Sequence, residues 1–192
     1  MSERIAEVVG ENPEKPVRIW VLDEHRYGLL PVIRRVWARK GVRVHAPYKT
    51  TCQWGYLHEA LEVDGKHQVE LLLTPSISQD AHAVFLKQIA ESDPEALHVV
   101  VMDQADFHLK QEDERIPANI RVLPLLPYCP ELNPAEWFGR VVKAPMVNRI
   151  YQTLEKLEDH LIAVARKWSE PSKVESLVQE WMRVQVKAIA KT

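Results

Sequence analysis

The sequence predicts an α/β protein built on a mixed β-sheet. Its strand candidates come first along the chain, one helix candidate lies among them, and the remaining helix candidates follow at the end. The chain has 192 residues and a hydrophobic fraction of 46%, which suits one compact domain, or one domain plus a short appendage. Only six glycines are present and no Gly-rich phosphate motif occurs, which argues against nucleoside triphosphate hydrolysis.

The first strand candidate covers residues 17–23, where β-branched and aromatic residues alternate between two faces. Its composition favours a central position in the sheet. We expect a turn at residues 25–28 and a second strand at 29–33, followed by a basic stretch at 34–43.

A hairpin is predicted next. Residues 54–62 and 68–76 read as two strands joined through Asp64-Gly65, a dipeptide typical of tight turns. Ser78 is a suitable N-cap for the helix that follows, which should end near Asp93-Pro94.

Residues 97–102 form an almost wholly apolar run, as expected of a strand that is buried on both faces. Asp103 follows that run directly. Residues 120–126 are a further strand candidate, interrupted by Pro124 and closed by Pro127.

The last part of the chain has the pattern of helices. Asn133, Pro134 and Glu136 have the order of an N-cap, a first helical residue and a third helical residue, and Pro145 interrupts or closes that helix. Two more helices follow on either side of a break at 169–171. Their apolar stripes consist of Leu154, Leu157, Leu161, Val164 and Trp168 in one and Val174, Leu177, Val178, Trp181 and Val184 in the other.

Charge is distributed unevenly although the formal net charge is −2. Residues 17–49 and 137–192 are basic, and residues 50–136 between them are acidic, with 15 carboxylates against 5 basic side chains. The two cysteines lie far apart and suggest neither a zinc site nor a disulfide, so a reducing, cytoplasmic setting is expected. No long uncharged apolar run and no signal peptide are evident.

Three carboxylates each stand at the boundary of a predicted element: Asp23, Asp103 and Glu136. If they converged, they would raise one another's pKa unless cations neutralised them, and oxygen ligands of this kind suit Mg²⁺ or Mn²⁺. The alternative is that all three are structural: Asp23 would be a turn residue at the strand end, Asp103 a cap of a helix or turn, and Glu136 the glutamate of a capping box. Reserve candidates are Glu24, which strand alternation places on the opposite face, Asp106 and Glu131.

Four segments resemble the DDE transposases of bacterial insertion sequences related to mariner elements. They are residues 21–24, 37–43, 99–108 and 126–136, and the last of them is the most specific. The resemblance covers roughly residues 17–168 and implies a ribonuclease-H-like catalytic domain, with a mixed five-stranded sheet flanked by helices and further helices at the C-terminus.

The resemblance also implies a mechanism and a set of site residues. Asp23, Asp103 and Glu136 would be the catalytic triad that binds two Mg²⁺ (or Mn²⁺) ions, with His108 acting near the metals or the scissile phosphate. DNA would be hydrolysed at transposon ends, and the freed 3′-hydroxyl would attack target DNA. The alternative to this catalytic role is that His108 is a surface residue that caps a loop.

The sequence departs from the family pattern in several places. Cys129 stands where Ser is expected, the spacing from Asp103 to Glu136 is slightly short, and Trp137 directly follows the last acid. The catalytic motif begins at residue 23, so we expect the helix-turn-helix DNA-binding part to be encoded separately, truncated or lost. Residues 1–16 would be a tail or linker remnant, 17–168 the catalytic domain and 169–192 a C-terminal helix that packs on it.

Basic residues near the expected centre are candidate contacts to DNA phosphates, with a solvated surface as the alternative. They are Arg34, Arg35, Arg39, Lys40, Arg43, Lys143 and Arg149. A homodimer is expected because two transposon ends must be held together. Two other functions compete with a transposase: an inactive remnant or interaction protein that keeps the fold, and a stand-alone ribonuclease-H-like nuclease.

Overall fold

The computed structural model describes residues 2–46, 48–125 and 133–178, and a five-stranded sheet lies at the centre of these residues. The strands are β1 Val17–Gly28, β2 Trp54–Glu62, β3 Val69–Thr74, β4 Leu97–Met102 and β5 Ile120–Pro124. The helices are α1 Ser2–Gly10, α2 Gln79–Glu91, α3 Pro134–Lys143, α4 Leu154–Trp168 and α5 Pro171–Leu177, with a short 3₁₀ turn at Ala144–Met146 after α3. None of the helices in the described ranges is long and apolar enough to cross a membrane.

The strand order is β3-β2-β1-β4-β5, with β1 at the centre as predicted. β2 is antiparallel to both of its neighbours, whereas β4 runs parallel to β1 and to β5, so the sheet is mixed. Val21 pairs with Val101 in the parallel pair. Asp23 and Asp103 each lie two residues further along, and therefore both stand at the same edge of the sheet.

Helices cover both faces of the sheet. On one side, called here the α3 face, side chains of α1, α3, α4 and α5 pack against β1, β2 and β4, with Val21 and Phe138 at 0% exposure. On the other side, the α2 face, Phe85 and Ile89 of α2 pack on Trp20 and neighbouring strand residues. Because side chains alternate along a strand, Asp23 points to the α3 face and Glu24 to the α2 face.

Most of the predicted elements are confirmed within a few residues. The strand at 97–102 has the predicted bounds and is buried throughout, and the hairpin at Asp64-Gly65 joins β2 to β3. Ser78 caps α2 through a hydrogen bond that its Oγ accepts from the Ala81 amide at 3.1 Å. Trp168 packs partly buried against the core of the α3 face.

The predicted turn at 25–28 and strand at 29–33 are wrong. β1 continues to Gly28 because β2 pairs with it along nine positions, from Trp20 opposite Glu62 to Gly28 opposite Trp54. The chain leaves the sheet only after Leu29, whose amide donates to the Gln53 carbonyl at 2.9 Å. Pro31 follows and has no amide to offer a ladder.

The N-terminal stretch, expected to be a tail, contains a helix. α1 is amphipathic, and its Ile5 is fully buried in the core of the α3 face. Other predictions concern residues outside the described ranges. These are Glu131, Cys129, most of the motif at 126–136, Trp181 and the rest of the last helix beyond residue 178.

Candidate active site

Four ionisable side chains meet on the α3 face, beneath the first turns of α3. Asp23 and His25 come from β1, Glu59 comes from the position of β2 that pairs with Asp23, and Glu136 comes from α3. One ligand atom each from Asp23, His25 and Glu136 lie within 4.8 Å of one another. Two of the three predicted carboxylates are therefore close together, and a histidine and a further glutamate join them.

Asn133 fixes α3 to the sheet at the point where this cluster forms. Its side-chain oxygen accepts a hydrogen bond from the Ala135 amide at 3.1 Å, which confirms the predicted N-cap. Its side-chain nitrogen donates to the Leu22 carbonyl of β1 at 2.9 Å. Asn133 is buried and lies three residues before Glu136, so it holds the start of the helix beside Asp23.

Replacing Asn133 by Ala is expected to destabilise the protein by about 1–2 kcal/mol, because the helix loses its cap and the Leu22 carbonyl loses a buried donor. Asn133→Ser is the matched variant: its hydroxyl keeps an uncharged capping oxygen and only the donor to Leu22 is lost, so its loss should be smaller. Urea denaturation measures both. Equal losses in the two variants would mean that the cap contributes nothing.

The cluster carries more negative charge than its surroundings neutralise. Burial raises the pKa of Asp23 to about 7; the His25 ring opposes this rise, and the carboxylates of Glu59 and Glu136 add to it. Burial also raises the pKa of the fully buried Glu59 well above its usual range, while the charge of Lys143 acts in the opposite direction. Both carboxyl groups thus favour the protonated form in the absence of a cation.

Several polar atoms of the cluster are buried without a well-formed hydrogen bond to any residue in the described ranges. They are Asp23 Oδ2, His25 Nε2 and both carboxylate oxygens of Glu59. The His25 Nε2 atom lies 3.1 Å from Glu59 Oε1 and 3.4 Å from Asp23 Oδ2. Unpartnered buried oxygens of this kind fit a bound cation, which would supply the missing partner.

Gly139 of α3 makes room for His25 and Glu59. A Cβ atom at this position would lie 1.9 Å from the His25 ring and 2.8 Å from Glu59 Oε1. The helix can therefore lie against these two side chains only because residue 139 has none.

Asp103 is not part of the cluster, although it stands at the same edge of the sheet. Its carboxylate accepts a hydrogen bond from the Ala105 amide at 3.0 Å and lies 3.1 Å from His108 Nδ1, and the side chain is 66% exposed. The hydrogen bond from His108 is the main cause that lowers the pKa of Asp103. His108 thus contacts one of the three predicted carboxylates.

His108 connects Asp103 to a second polar group on the α2 face. Its Nε2 lies 3.1 Å from both carboxylate oxygens of Glu24, and His58 Nδ1 lies 3.4 Å from Glu24 Oε1. Burial alone would raise the pKa of Glu24, but hydrogen bonds from His108 and His58 lower it to about 2. Burial alone would lower the pKa of His108, but hydrogen bonds to Asp103 and then to Glu24 raise it to about 10. Glu24 thus lies on the face opposite Asp23, as predicted, while Asp106 is exposed.

His82 is buried beside this group in its neutral form. Its Nδ1 accepts a hydrogen bond from the Leu109 amide, and burial, together with the positive charge of His108, lowers its pKa to about 3. The unfolded chain therefore binds a proton here between pH 6.5 and 3 that the folded chain does not. Stability should fall as the pH drops through that interval.

Replacing His82 by Gln, which retains a hydrogen-bond acceptor, is expected to make the free energy of unfolding less steep in pH below 6.5, by up to about 1.4 kcal/mol per pH unit. Urea denaturation at pH 7 and pH 5 measures the difference. The exposed His45→Gln is the control and should keep the wild-type slope. An unchanged slope in His82→Gln would contradict a neutral buried imidazole.

The predicted phosphate contacts lie in two places. Five of them are exposed between β1 and β2, within residues 29–46, where the structure has no helix or strand: Arg34, Arg35, Arg39, Lys40 and Arg43. Lys143 is half-buried near the acidic cluster, where burial lowers its pKa, and Arg149 is exposed. Arg34, Lys143 and Arg149 line one pocket of about 410 Å³ with Arg26, Trp54 and Tyr151.

The segment between β1 and β2 is attached to the region between α3 and α4 at both of its ends. Asn148 receives a hydrogen bond from the Arg34 amide, donates to the Arg34 carbonyl through its side chain, and donates to the Val32 carbonyl through its own amide. At the other end, Lys49 Nζ donates to the carbonyls of Tyr151 and Gln152.

Sequence reasoning missed two members of the cluster, His25 and Glu59, and the glycine that packs against them, Gly139. His25 follows Asp23 by two positions, so strand alternation could have placed it on the same face, but the wrong turn at 25–28 removed it from the strand. Glu59 depends on the register between β1 and β2, and Gly139 depends on how closely α3 approaches the sheet. The sequence carries no local signal for either.

A family model described as "DDE superfamily endonuclease" matches residues 18–158. The chain belongs to this family. The match spans β1 to β5, α3 and the start of α4, and thus contains Asp23, Asp103 and Glu136. The predicted resemblance is confirmed at the level of the family.

The chain is also similar to individual proteins. The chain is 29% identical over 132 residues to "Uncharacterized protein y4pE/y4sA" of Sinorhizobium fredii (strain NBRC 101917 / NGR234), which covers 67% of this chain and 96% of that protein. Among solved structures it is similar to the catalytic domain of Mos1 mariner transposase, with 13% identity and a TM-score of 0.59 over 99% of this chain and 89% of the other.

A larger structure, the Mos1 transposase paired-end complex with left transposon end, matches with 15% identity and a TM-score of 0.63 over 99% of this chain. The chain spans 59% of the length of that transposase. At this level of identity the likeness concerns the fold, which is the ribonuclease-H-like fold of a DDE catalytic domain. The predicted fold class is therefore confirmed.

Proposed function

We propose that this DDE superfamily endonuclease is the catalytic domain of a DNA transposase, which cleaves DNA at transposon ends and transfers the strand to target DNA. The observation that carries the proposal is that Asp23 and Glu136 lie close together beneath α3. Beside them, buried carboxylate oxygens of Asp23 and Glu59 make no well-formed hydrogen bond in the described part of the chain and have only the His25 ring as a close neighbour of opposite character. Such oxygens are suited to divalent metal ions, which phosphoryl transfer on DNA requires.

Asp23, Asp103 and Glu136 would hold Mg²⁺ or Mn²⁺, two ions in total. Asp23 and Glu136 already lie close enough to bind one common ion. Asp103 stands at the end of the parallel neighbouring strand, which supports its inclusion in the metal-binding triad. When bound, two such ions stabilise the attacking and the leaving oxygen of a phosphodiester displacement. His108 would hold the Asp103 carboxylate in place.

The remaining residues would bind and orient DNA. Arg34 and Arg149 offer positive charge in a pocket that Lys143 also lines, and the charges of Glu59, Asp23 and Glu136 act on Lys143. Contacts to phosphates position a duplex without reading its sequence. Recognition of transposon ends would fall to a helix-turn-helix part, and a homodimer would hold two ends together in the cytoplasm.

Cleavage of labelled DNA that carries the ends of the encoding element tests this function. We expect strands with a 3′-hydroxyl to appear only with Mg²⁺ or Mn²⁺ and to disappear on chelation. A folded protein that binds metal and cuts no DNA would indicate the non-catalytic remnant. Cleavage of RNA–DNA hybrids without any dependence on transposon ends would indicate the stand-alone nuclease.

A further inference from the structure

We propose that the metal centre contains a nitrogen ligand, His25, with the buried carboxylate of Glu59 beside it, and therefore selects a divalent transition metal over Mg²⁺ more strongly than carboxylates alone would. This inference rests on the proposed function, because it takes Asp23 and Glu136 as ligands of the same centre.

The position of His25 is the first argument. It follows Asp23 by two residues on β1, so both side chains point to the α3 face, where a His25 ring nitrogen is grouped with carboxylate oxygens of Asp23 and Glu136. The separations of 3.4 Å from Nε2 to Asp23 Oδ2 and 3.1 Å to Glu59 Oε1 are close to those between adjacent ligand atoms around one ion. For bonds of about 2.1 Å, such edges measure roughly 3.0–3.4 Å.

Glu59 is the second and independent argument. It is 0% exposed, and its polar contacts in the described part of the chain are with His25 Nε2 at 3.1 Å and with the Gly139 amide, neither of which forms a well-aligned hydrogen bond. Glu59 points at the His25 nitrogen from β2, and Gly139 lets α3 close over both side chains. A buried carboxylate is retained in a protein when a cation or a donor satisfies it, and a metal ion beside His25 would do so.

The chemistry of the donor set then determines the choice of metal. Mg²⁺ prefers oxygen ligands and water, whereas imidazole nitrogen suits transition metals such as Co²⁺ and Zn²⁺. A centre with one imidazole among carboxylates should therefore gain affinity for Co²⁺ through His25 and gain little for Mg²⁺.

Titration of the full chain with Co²⁺ and with Mg²⁺, followed by calorimetry and by the visible absorption of Co²⁺, tests the assignment. We expect His25→Gln to weaken Co²⁺ binding by tenfold or more, to weaken Mg²⁺ binding by threefold or less, and to change the Co²⁺ spectrum. Asp23→Asn should weaken both metals, and the exposed His45→Gln should weaken neither.

The outcomes separate the two proposals. If Asp23→Asn loses both metals while His25→Gln keeps the wild-type ratio of Co²⁺ to Mg²⁺ affinity, His25 is not a ligand and the proposed function stands. If the wild-type chain binds neither metal, both proposals fail. Should His25→Gln not fold, pulsed EPR of Mn²⁺ bound to the wild-type chain decides the question: the hyperfine coupling of a directly bound imidazole nitrogen is expected, and its absence would overturn the assignment.

Discussion

Glu136→Gln and Asp23→Asn are each expected to reduce metal-dependent DNA cleavage by at least about a thousandfold, equivalent to ~4 kcal/mol of transition-state stabilisation. Each change removes a negative oxygen from the cluster beneath α3, where the two side chains lie within reach of one ion. Cleavage of end-labelled DNA in Mg²⁺ and in Mn²⁺ measures the effect. The exposed Glu95→Gln is the control and should cut like the wild type.

Asp103→Asn tests whether the third predicted carboxylate takes part in the reaction. In the structure the Asp103 carboxylate contacts His108 and lies apart from the cluster, so the three carboxylates meet only if this side chain turns toward Asp23. A loss as large as that of Glu136→Gln would place Asp103 in the reaction. Cleavage at the wild-type rate in all three variants would refute the assigned chemistry.

Gly139→Ala is expected to destabilise the protein by about 3 kcal/mol and to weaken metal binding by at least tenfold. The new methyl group would overlap the His25 ring and crowd Glu59, so either α3 or the two side chains must move. Urea denaturation and titration with Mn²⁺ measure the two effects.

Two further variants test whether the clash is the cause. Gly10→Ala, at the end of α1, places a methyl group where no atom lies within 4 Å and should leave both stability and metal binding unchanged. Combining Gly139→Ala with His25→Ala removes the overlapping ring and should restore most of the lost stability. If the double variant is as unstable as Gly139→Ala alone, helix and strand do not meet as described.

Local signals account for the elements that could be predicted. The apolar run of β4, the Ser78 cap of α2 and the Asn133-Pro134 start of α3 each lie within a few residues of the feature they determine. The second half of β1 could not be read in this way. It is a strand because β2 pairs with it, and that partner lies about thirty residues further along the chain.

The same distinction applies to the site. Asp23, Asp103 and Glu136 were predicted because each stands at the boundary of an element and matches a family motif. Glu59 faces Asp23 only through the register of an antiparallel pair, and nothing around Glu59 in the sequence distinguishes it from other strand glutamates. The separation of the Asp103 carboxylate from the cluster arises from contacts with Ala105 and His108 in the following turn.

The basic segment between β1 and β2 is held by hydrogen bonds at Asn148 and at Lys49, which makes the chain between these two points structurally independent of the acidic cluster. Between these two points the chain from residue 35 to residue 46 is exposed and without regular structure, while the residues on which both ends rest follow α3 directly. A change in the length or charge of that stretch would leave the carboxylates where they are. The length and charge of this stretch can therefore vary without rebuilding the centre beneath α3.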